Sequence, residues 1–191
     1  MRTMPAAMRQ KVLAAADPFA ERGLDATTME DLAATTGVPK ATLYYYFESK
    51  EDILAFLFTE ILDEVANAVA DAAKAGGTAS ERLAAVVAAH LRVFDRFPMA
   101  SRALQFDLGR AARLPQIAER VDSAFVDPVH DLLVEGAADG SLRTIDHPRL
   151  VAIAILGAVA ATGINALTVH PRRRVGPVVD SVVEFVLGGV A

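Results

Sequence analysis

Cysteine is absent from the 191 residues, which removes disulfide frameworks, thiol nucleophiles and Cys-ligated zinc or iron–sulfur sites together. Glycine and proline number 12 and 9, too few for a collagen-like or linker-dominated chain. Sustained period-2 alternation is missing, so strands are not expected. No apolar h-region follows Met1-Arg2-Thr3-Met4-Pro5, which leads into polar helical sequence; that argues against a secretory leader and for the cytoplasm. Positive charge is not in excess either, with 19 Lys and Arg against 24 Asp and Glu, a formal net charge of −5. Non-specific coating of nucleic acid is thereby disfavoured, while a local basic face stays open. What is present is a 53% hydrophobic, 23% charged chain, enough for one or two small domains with a real core.

One run, Val151 to Val169, carries no charge and is followed by Arg172-Arg173-Arg174. Its length would suit a bilayer. Ala, Gly, Thr and Asn dilute its Ile, Leu and Val, and small residues let helices pack closely, so a buried helix at a subunit interface fits better.

Helix signals are frequent. Met8, Val12, Leu13, Ala16 and Phe19 step by three or four, with Pro18 interrupting and Gly23 stopping the run. Thr27-Thr28-Met29-Glu30 offers a capping box for a short helix over 29–35 that ends at Gly37. Ser49-Lys50-Glu51-Asp52 resembles another, before a long helix to about Lys74 striped by Ile53, Leu54, Leu57, Phe58, Ile61, Leu62 and Val65. Gly76-Gly77 breaks it and Thr78-Ala79-Ser80-Glu81 caps the next. Pro98, Pro115, the 136–140 region, Asp146-His147-Pro148 and His170-Pro171 divide the rest. An all-α chain of about nine helices is expected. The style changes near Glu48, so residues 1–48 are read as a three-helix helix-turn-helix domain and 49–191 as a helical effector-binding and dimerisation domain.

Residues 27–47, TTMEDLAATTGVPKATLYYYF, read as two short helices joined by a turn at Gly37. Leu32, Ala33, Val38, Leu43 and Phe47 are spaced to close a small core with Phe19. The second helix then keeps faces free for Lys40, Ala41, Thr42, Tyr44 and Tyr45. All three tyrosines of the protein are consecutive at 44–46, although the chain has nine phenylalanines for its core. Phenolic hydroxyls on an exposed short helix suit phosphate oxygens and groove edges. The pattern fits a recognition helix in a DNA major groove, with Thr28, Tyr44, Tyr45 and Lys50 on the backbone around it. Residues 1–50 balance six bases against six acids, but 1–16 hold three bases and no acid, so an N-terminal arm can track the backbone.

From about Arg9 to Leu54 the chain resembles the DNA-binding domain of the TetR family of transcriptional regulators. The matching stretches are Ala14-Ala15, Phe19-Ala20-Glu21-Arg22-Gly23, Thr27-Thr28, Leu32-Ala33, Gly37-Val38, Lys40 through Phe47 and Ser49-Lys50-Glu51. The resemblance implies an all-helical homodimer that binds a near-palindromic operator and is usually released by a small molecule. It also implies that Lys40 and Thr42 face bases or nearby phosphates, and that Thr28, Tyr44, Tyr45 and Lys50 hold phosphates. Pro18 and Pro39 depart from the family pattern, Pro39 standing where a hydroxyl cap is usual.

For the dimer, Leu150, Ile153, Ala154, Gly157, Ala158, Ala161 and Asn165 on one helix and Val178, Val182 and Phe185 on another would make a two-fold four-helix bundle. Phe94, Phe97, Met99, Arg102, Gln105, Phe106 and Arg110 form the candidate lining of an effector pocket, suited to a lipophilic molecule. His90, His130, His147 and His170 lack HExxH spacing, Asp127 and Asp131 read as a solvated helix face, and no GxSxG, P-loop or GxGxxG is present. No enzyme, metal or cofactor is therefore expected. The sequence points to a cytoplasmic, ligand-released repressor acting on double-stranded DNA, without a membrane. The alternative is an all-helical small-molecule-binding protein whose DNA binding is lost or secondary.

Overall fold

The structure, a computed structural model, describes residues 4–111, 115–170 and 174–191, with side chains described for 4–104, 117–166, 170 and 174–191. Every regular element among the described residues is helical. In chain order these are α1 (Ala6–Leu13), α2 (Ala16–Ala26), α3 (Met29–Thr36), α4 (Lys40–Tyr46), α5 (Lys50–Ala73), α6 (Ala79–Arg96), α7 (Pro98–Ala111), α8 (Pro115–Val121), α9 (Asp127–Asp139), α10 (Pro148–Gly163) and α11 (Val175–Val190). A π-helical turn, Asp122–Val126, joins α8 to α9, and a second, Ile164–Val169, continues α10. The chain divides into two compact units, Met1–Ile61 with Met99–Ile117, and Leu62–Pro98 with Ala118–Ala191. The expected break at Glu48 lies inside the first unit, which follows α5 as far as Ile61.

Proline sets where the first helical run divides. In a continuous helix the Pro18 ring would meet the carbonyl of Ala14 and leave it without a donor. The chain turns instead at Ala14 and Ala15, whose amides donate to the carbonyls of Lys11 and Val12 at 3.1 and 2.9 Å. Pro18 then falls in the first turn of α2, where a missing N–H costs nothing. Gly23 ends regular helix with φ of +74°.

The α3 cap sits one residue further on than Thr27 and Glu30 suggest. Thr28 is the N-cap: its hydroxyl accepts from the Asp31 amide at 3.2 Å, and the Asp31 carboxylate accepts from the Thr28 amide at 2.9 Å. Thr27 is buried, and its hydroxyl lies 2.7 Å from the Gly23 carbonyl and 3.1 Å from that of Pro18. At Gly37 the backbone takes φ of +63°, turning the chain from α3 towards α4. Phe19, Leu32, Val38, Leu43 and Phe47 are all buried in this unit, and the Phe47 ring meets Phe56 of α5 edge-on at 5.6 Å.

In the second unit α6 packs against α9, α10 and α11. It contributes Leu83, Val86, Val87, His90, Leu91 and Phe94 to the core. One face of α10 is buried through Ala152, Ile155, Val159 and Gly163, at helical spacing. Its other face leaves Leu150 and Ile153 exposed at 64% and 46%. The stretch Pro148–Ala166 is long and apolar enough to cross a membrane by length and composition, and 33% of it is buried within the protein. Arg149, in the first turn of α10, reaches both ends of the first π-helical turn, donating to Asp122 and Asp127 at 2.7 Å each.

His90 lies in this core, stacked on Phe94 with ring centroids 4.9 Å apart and tilted against Phe125 at 4.8 Å. Burial disfavours the imidazolium and pushes the pKa down from 6.5 to about 4. The unfolded chain therefore binds this proton first on acidification. The stability associated with a neutral His90 is complete above pH 6.5 and is lost as pH falls towards 4, about 3 kcal/mol across the window. Thermal unfolding of wild type and His90→Leu between pH 7 and 4 checks this. The wild type is expected to lose stability more steeply, and parallel curves would contradict the assignment.

Candidate nucleic-acid interface

The first unit presents α4 on its surface. Leu43 is buried, Thr42 and Tyr46 are half-buried, and Lys40, Ala41, Tyr44 and Tyr45 are exposed. Tyr44 and Tyr45 are 49% and 56% exposed, large rings that contribute little to the core. Tyr45 meets Tyr46 edge-on at 4.9 Å, and the Lys40 ammonium lies 5.8 Å from the centroid of the Tyr44 ring. A helix surface carrying a cation, two phenols and one small residue offers hydrogen bonds to phosphate and to base edges, with Ala41 leaving room for close approach.

Lys40 is engaged at its outer end by Glu30 of α3, in an ion pair between exposed side chains. The hydrogen bond from Lys40 holds the Glu30 carboxyl below its ordinary range, and Glu30 raises Lys40 in return. Both charges remain fixed through the physiological range. Glu30 has this role because Asp31, not Glu30, closes the α3 cap. The Thr28 hydroxyl and amide keep Asp31 ionised, and Arg22 lies 3.4 Å from its other oxygen. Residue spacing alone conceals the Glu30–Lys40 pair, since ten positions and a glycine turn separate its members.

The other two expected backbone contacts, Thr28 and Lys50, also make bonds within the unit. Thr28 is exposed but committed to the α3 cap. The half-buried Lys50 donates to the carbonyls of Thr27 at 2.9 Å and Asp25 at 3.2 Å. It neutralises the carbonyl-rich end of α2 while sitting at the start of α5. Ser49 and Asp52 complete a reciprocal cap there, at 3.3 and 3.1 Å.

The other candidates are spread over both units. Phe94 is buried and Phe97 half-buried in the second unit, while Met99 and Arg102 are half-buried in the first. The side chains of Gln105, Phe106 and Arg110 lie outside the described residues. Leu150, Ile153, Ala154, Gly157, Ala161 and Asn165 are exposed, Ala158 is half-buried, and Phe185 is 71% exposed. Val178 and Val182 are buried in the second unit's core, whereas Phe185, at the edge of the same stripe of α11, is exposed. His90, one of the buried polar residues among those described, is one that spacing arguments pass over. Among the described residues no group of three or more His, Asp or Glu is placed to hold a metal ion.

Comparison with known proteins bears on these features. The family model for bacterial regulatory proteins of the tetR family matches residues 12–56, and that for the tetracyclin repressor-like C-terminal domain matches 76–163. The chain is 30% identical over 144 residues to the HTH-type transcriptional repressor KstR2 of Mycolicibacterium smegmatis, covering 74% of this chain and 70% of that protein. It is 25% identical over 182 residues to the fatty acid metabolism regulator protein of Bacillus subtilis, covering 95% and 94%. Among solved structures, the regulator FadR from Bacillus subtilis in complex with stearoyl-CoA superposes with a TM-score of 0.81 at 25% identity, over 95% of this chain and 99% of that one. With a helix-turn-helix unit that presents α4 outward and family matches along both parts of the sequence, the chain belongs to the TetR family of DNA-binding transcriptional regulators.

Proposed function

We propose that this chain is a cytoplasmic homodimeric repressor that binds a near-palindromic operator and is released by a lipophilic small molecule. The observation that carries the DNA reading is the outward face of α4, where Lys40, Tyr44 and Tyr45 stand exposed although the fold does not need them there. In this reading α4 enters the major groove, Lys40 and Thr42 approach bases or adjacent phosphates, and Tyr44 and Tyr45 hold the backbone. Thr28 and Lys50 contribute through the ends of α3 and α5, their side chains already bonded within the unit.

A second copy of the chain covers the exposed α10 face. Leu150, Ile153, Ala154, Gly157, Ala158, Ala161 and Asn165 form a stripe with small residues at its middle, and Phe185 of α11 is exposed as well. A two-fold dimer buries such a stripe against itself and matches the symmetry of a palindrome. The effector belongs with the apolar core of the second unit, around Phe94 and Phe97. A lipophilic class is supported by relatives named for fatty acid metabolism and by the stearoyl-CoA complex of one of them. Effector binding favours dimers whose two α4 helices no longer stand one DNA turn, ~34–36 Å, apart.

Fluorescence anisotropy on DNA from upstream of the gene, against a scrambled duplex across a salt series, tests the reading. Saturable, salt-sensitive binding that prefers the native duplex is expected. Failure to bind either duplex at low salt, with ligand binding retained, would favour a small-molecule-binding protein without a DNA role. Lys40→Ala should weaken binding and reduce the salt slope by about one. Glu30→Gln should tighten binding severalfold, because Lys40 then leaves no carboxylate to reach phosphate; weaker binding would mean that Glu30 positions the cation.

For the dimer, Phe185→Glu is expected to shift sedimentation from dimer to monomer at micromolar concentration without loss of helicity. An unchanged dimer would place the interface elsewhere.

A further inference from the structure

We infer that His90 is the polar anchor of a ligand site in the core of the second unit, taking an uncharged, mainly hydrocarbon molecule through one hydroxyl or carbonyl oxygen. This deepens the effector reading above and rests on it. His90 is 5% exposed, and its Nδ1 is buried without a hydrogen-bond partner. Buried polar atoms are almost always paired, so an unpaired one calls for an explanation. Its neighbours along α6, Val86, Val87, Leu91 and Phe94, are apolar and buried. A leucine or phenylalanine at 90 would fill the same core without the cost of an unpaired nitrogen.

The surroundings supply the rest of a site. Phe94 and Phe125 stand against the imidazole as apolar walls. Phe125 is carried on the π-helical turn Asp122–Val126, whose two flanking carboxylates are held by Arg149. The same helix α6 also meets the end of α10 and the second π-helical segment. Gly163 allows that approach, since a Cβ there would stand 2.6 Å from Phe94 Cδ2 and 2.9 Å from Leu91 Cδ2. Two π-helical segments therefore flank the stretch of α6 that carries the unpaired nitrogen, and such segments concentrate at functional sites.

The chemistry of the ligand follows from the ring's state. Burial keeps the imidazole neutral. A carboxylate at Nδ1 would bring an anion into an apolar core where, among the described residues, no charged group shifts the imidazole. A hydroxyl can donate to the Nδ1 lone pair or accept from Nδ1–H, so it suits either tautomer; a ketone, ester or thioester carbonyl accepts from Nδ1–H. Any charged group on the same molecule must lie away from His90.

Thermal-shift titration of the full chain with 1-decanol and with 1-chlorodecane, chains of equal length of which one carries a hydroxyl, tests the inference. Wild type is expected to bind the alcohol roughly tenfold more tightly than the chloride, the worth of one buried hydrogen bond. His90→Leu should bring the two probes level. His90→Gln, whose amide can donate and accept, should retain part of the preference and shows that the core tolerates substitution. Persistence of the preference in His90→Leu, or equal binding of both probes to wild type, would overturn the role of His90 and leave the lipophilic-effector reading standing. Binding of neither probe to wild type would overturn both.

Discussion

Short helices bury little area, and the first unit depends on how their ends are satisfied. The end of α2 is the critical point. There the Thr27 hydroxyl lies within hydrogen-bond distance of the Gly23 and Pro18 carbonyls, and the Lys50 ammonium takes the carbonyls of Thr27 and Asp25. Each such bond contributes on the order of 1 kcal/mol, and more where the donor is charged. Together they tie the start of α5 to the corner between α2 and α3. The Thr28–Asp31 cap then starts α3, and Gly37 turns the chain into α4. The outward face of α4 is a consequence of that sequence of satisfied ends.

The same economy shapes the charges on the interface. Net charge over residues 1–50 is zero, six bases against six acids, and several of those charges are paired locally. Arg9 is bonded to Glu60, Arg22 lies by Asp31 and Lys40 is held by Glu30. A surface several of whose cations are already paired binds generic phosphate less strongly, and it rewards a geometry in which phosphates displace carboxylates one for one. This is the electrostatic form of selectivity open to an acidic protein that must find one site among many.

Much of this was legible in the residues. The glycine turn, the consecutive tyrosines and the small core of Phe19, Leu32, Val38, Leu43 and Phe47 follow from spacing, because local periodicity and turn chemistry decide them. Less legible was which of two adjacent threonines caps α3. Thr27 and Thr28 are equivalent as letters, and burial against Pro18 and Gly23 settles between them. Pro18 signals an interruption, yet the backbone breaks four residues earlier because the clash lies at the Ala14 carbonyl. Lys50 reads as a phosphate ligand in the sequence, and its bonds to the α2 carbonyls are a second role that spacing does not reveal. On α11, Val178, Val182 and Phe185 share an apolar pattern that cannot separate core from surface, and the packing against α6 puts the two valines inside. His90 gives no signal in sequence, since its meaning comes from Phe94, Phe125 and an unpaired nitrogen.

The central claim is that two outward α4 helices, related by a two-fold axis, read one DNA sequence. Selection of bound duplexes from a random pool by the purified protein, followed by sequencing of the enriched pool, tests it most directly. The account predicts one enriched near-palindrome with half-site centres one helical turn, ~10 base pairs, apart. Absence of enrichment, or enrichment of a single asymmetric half-site, would contradict it.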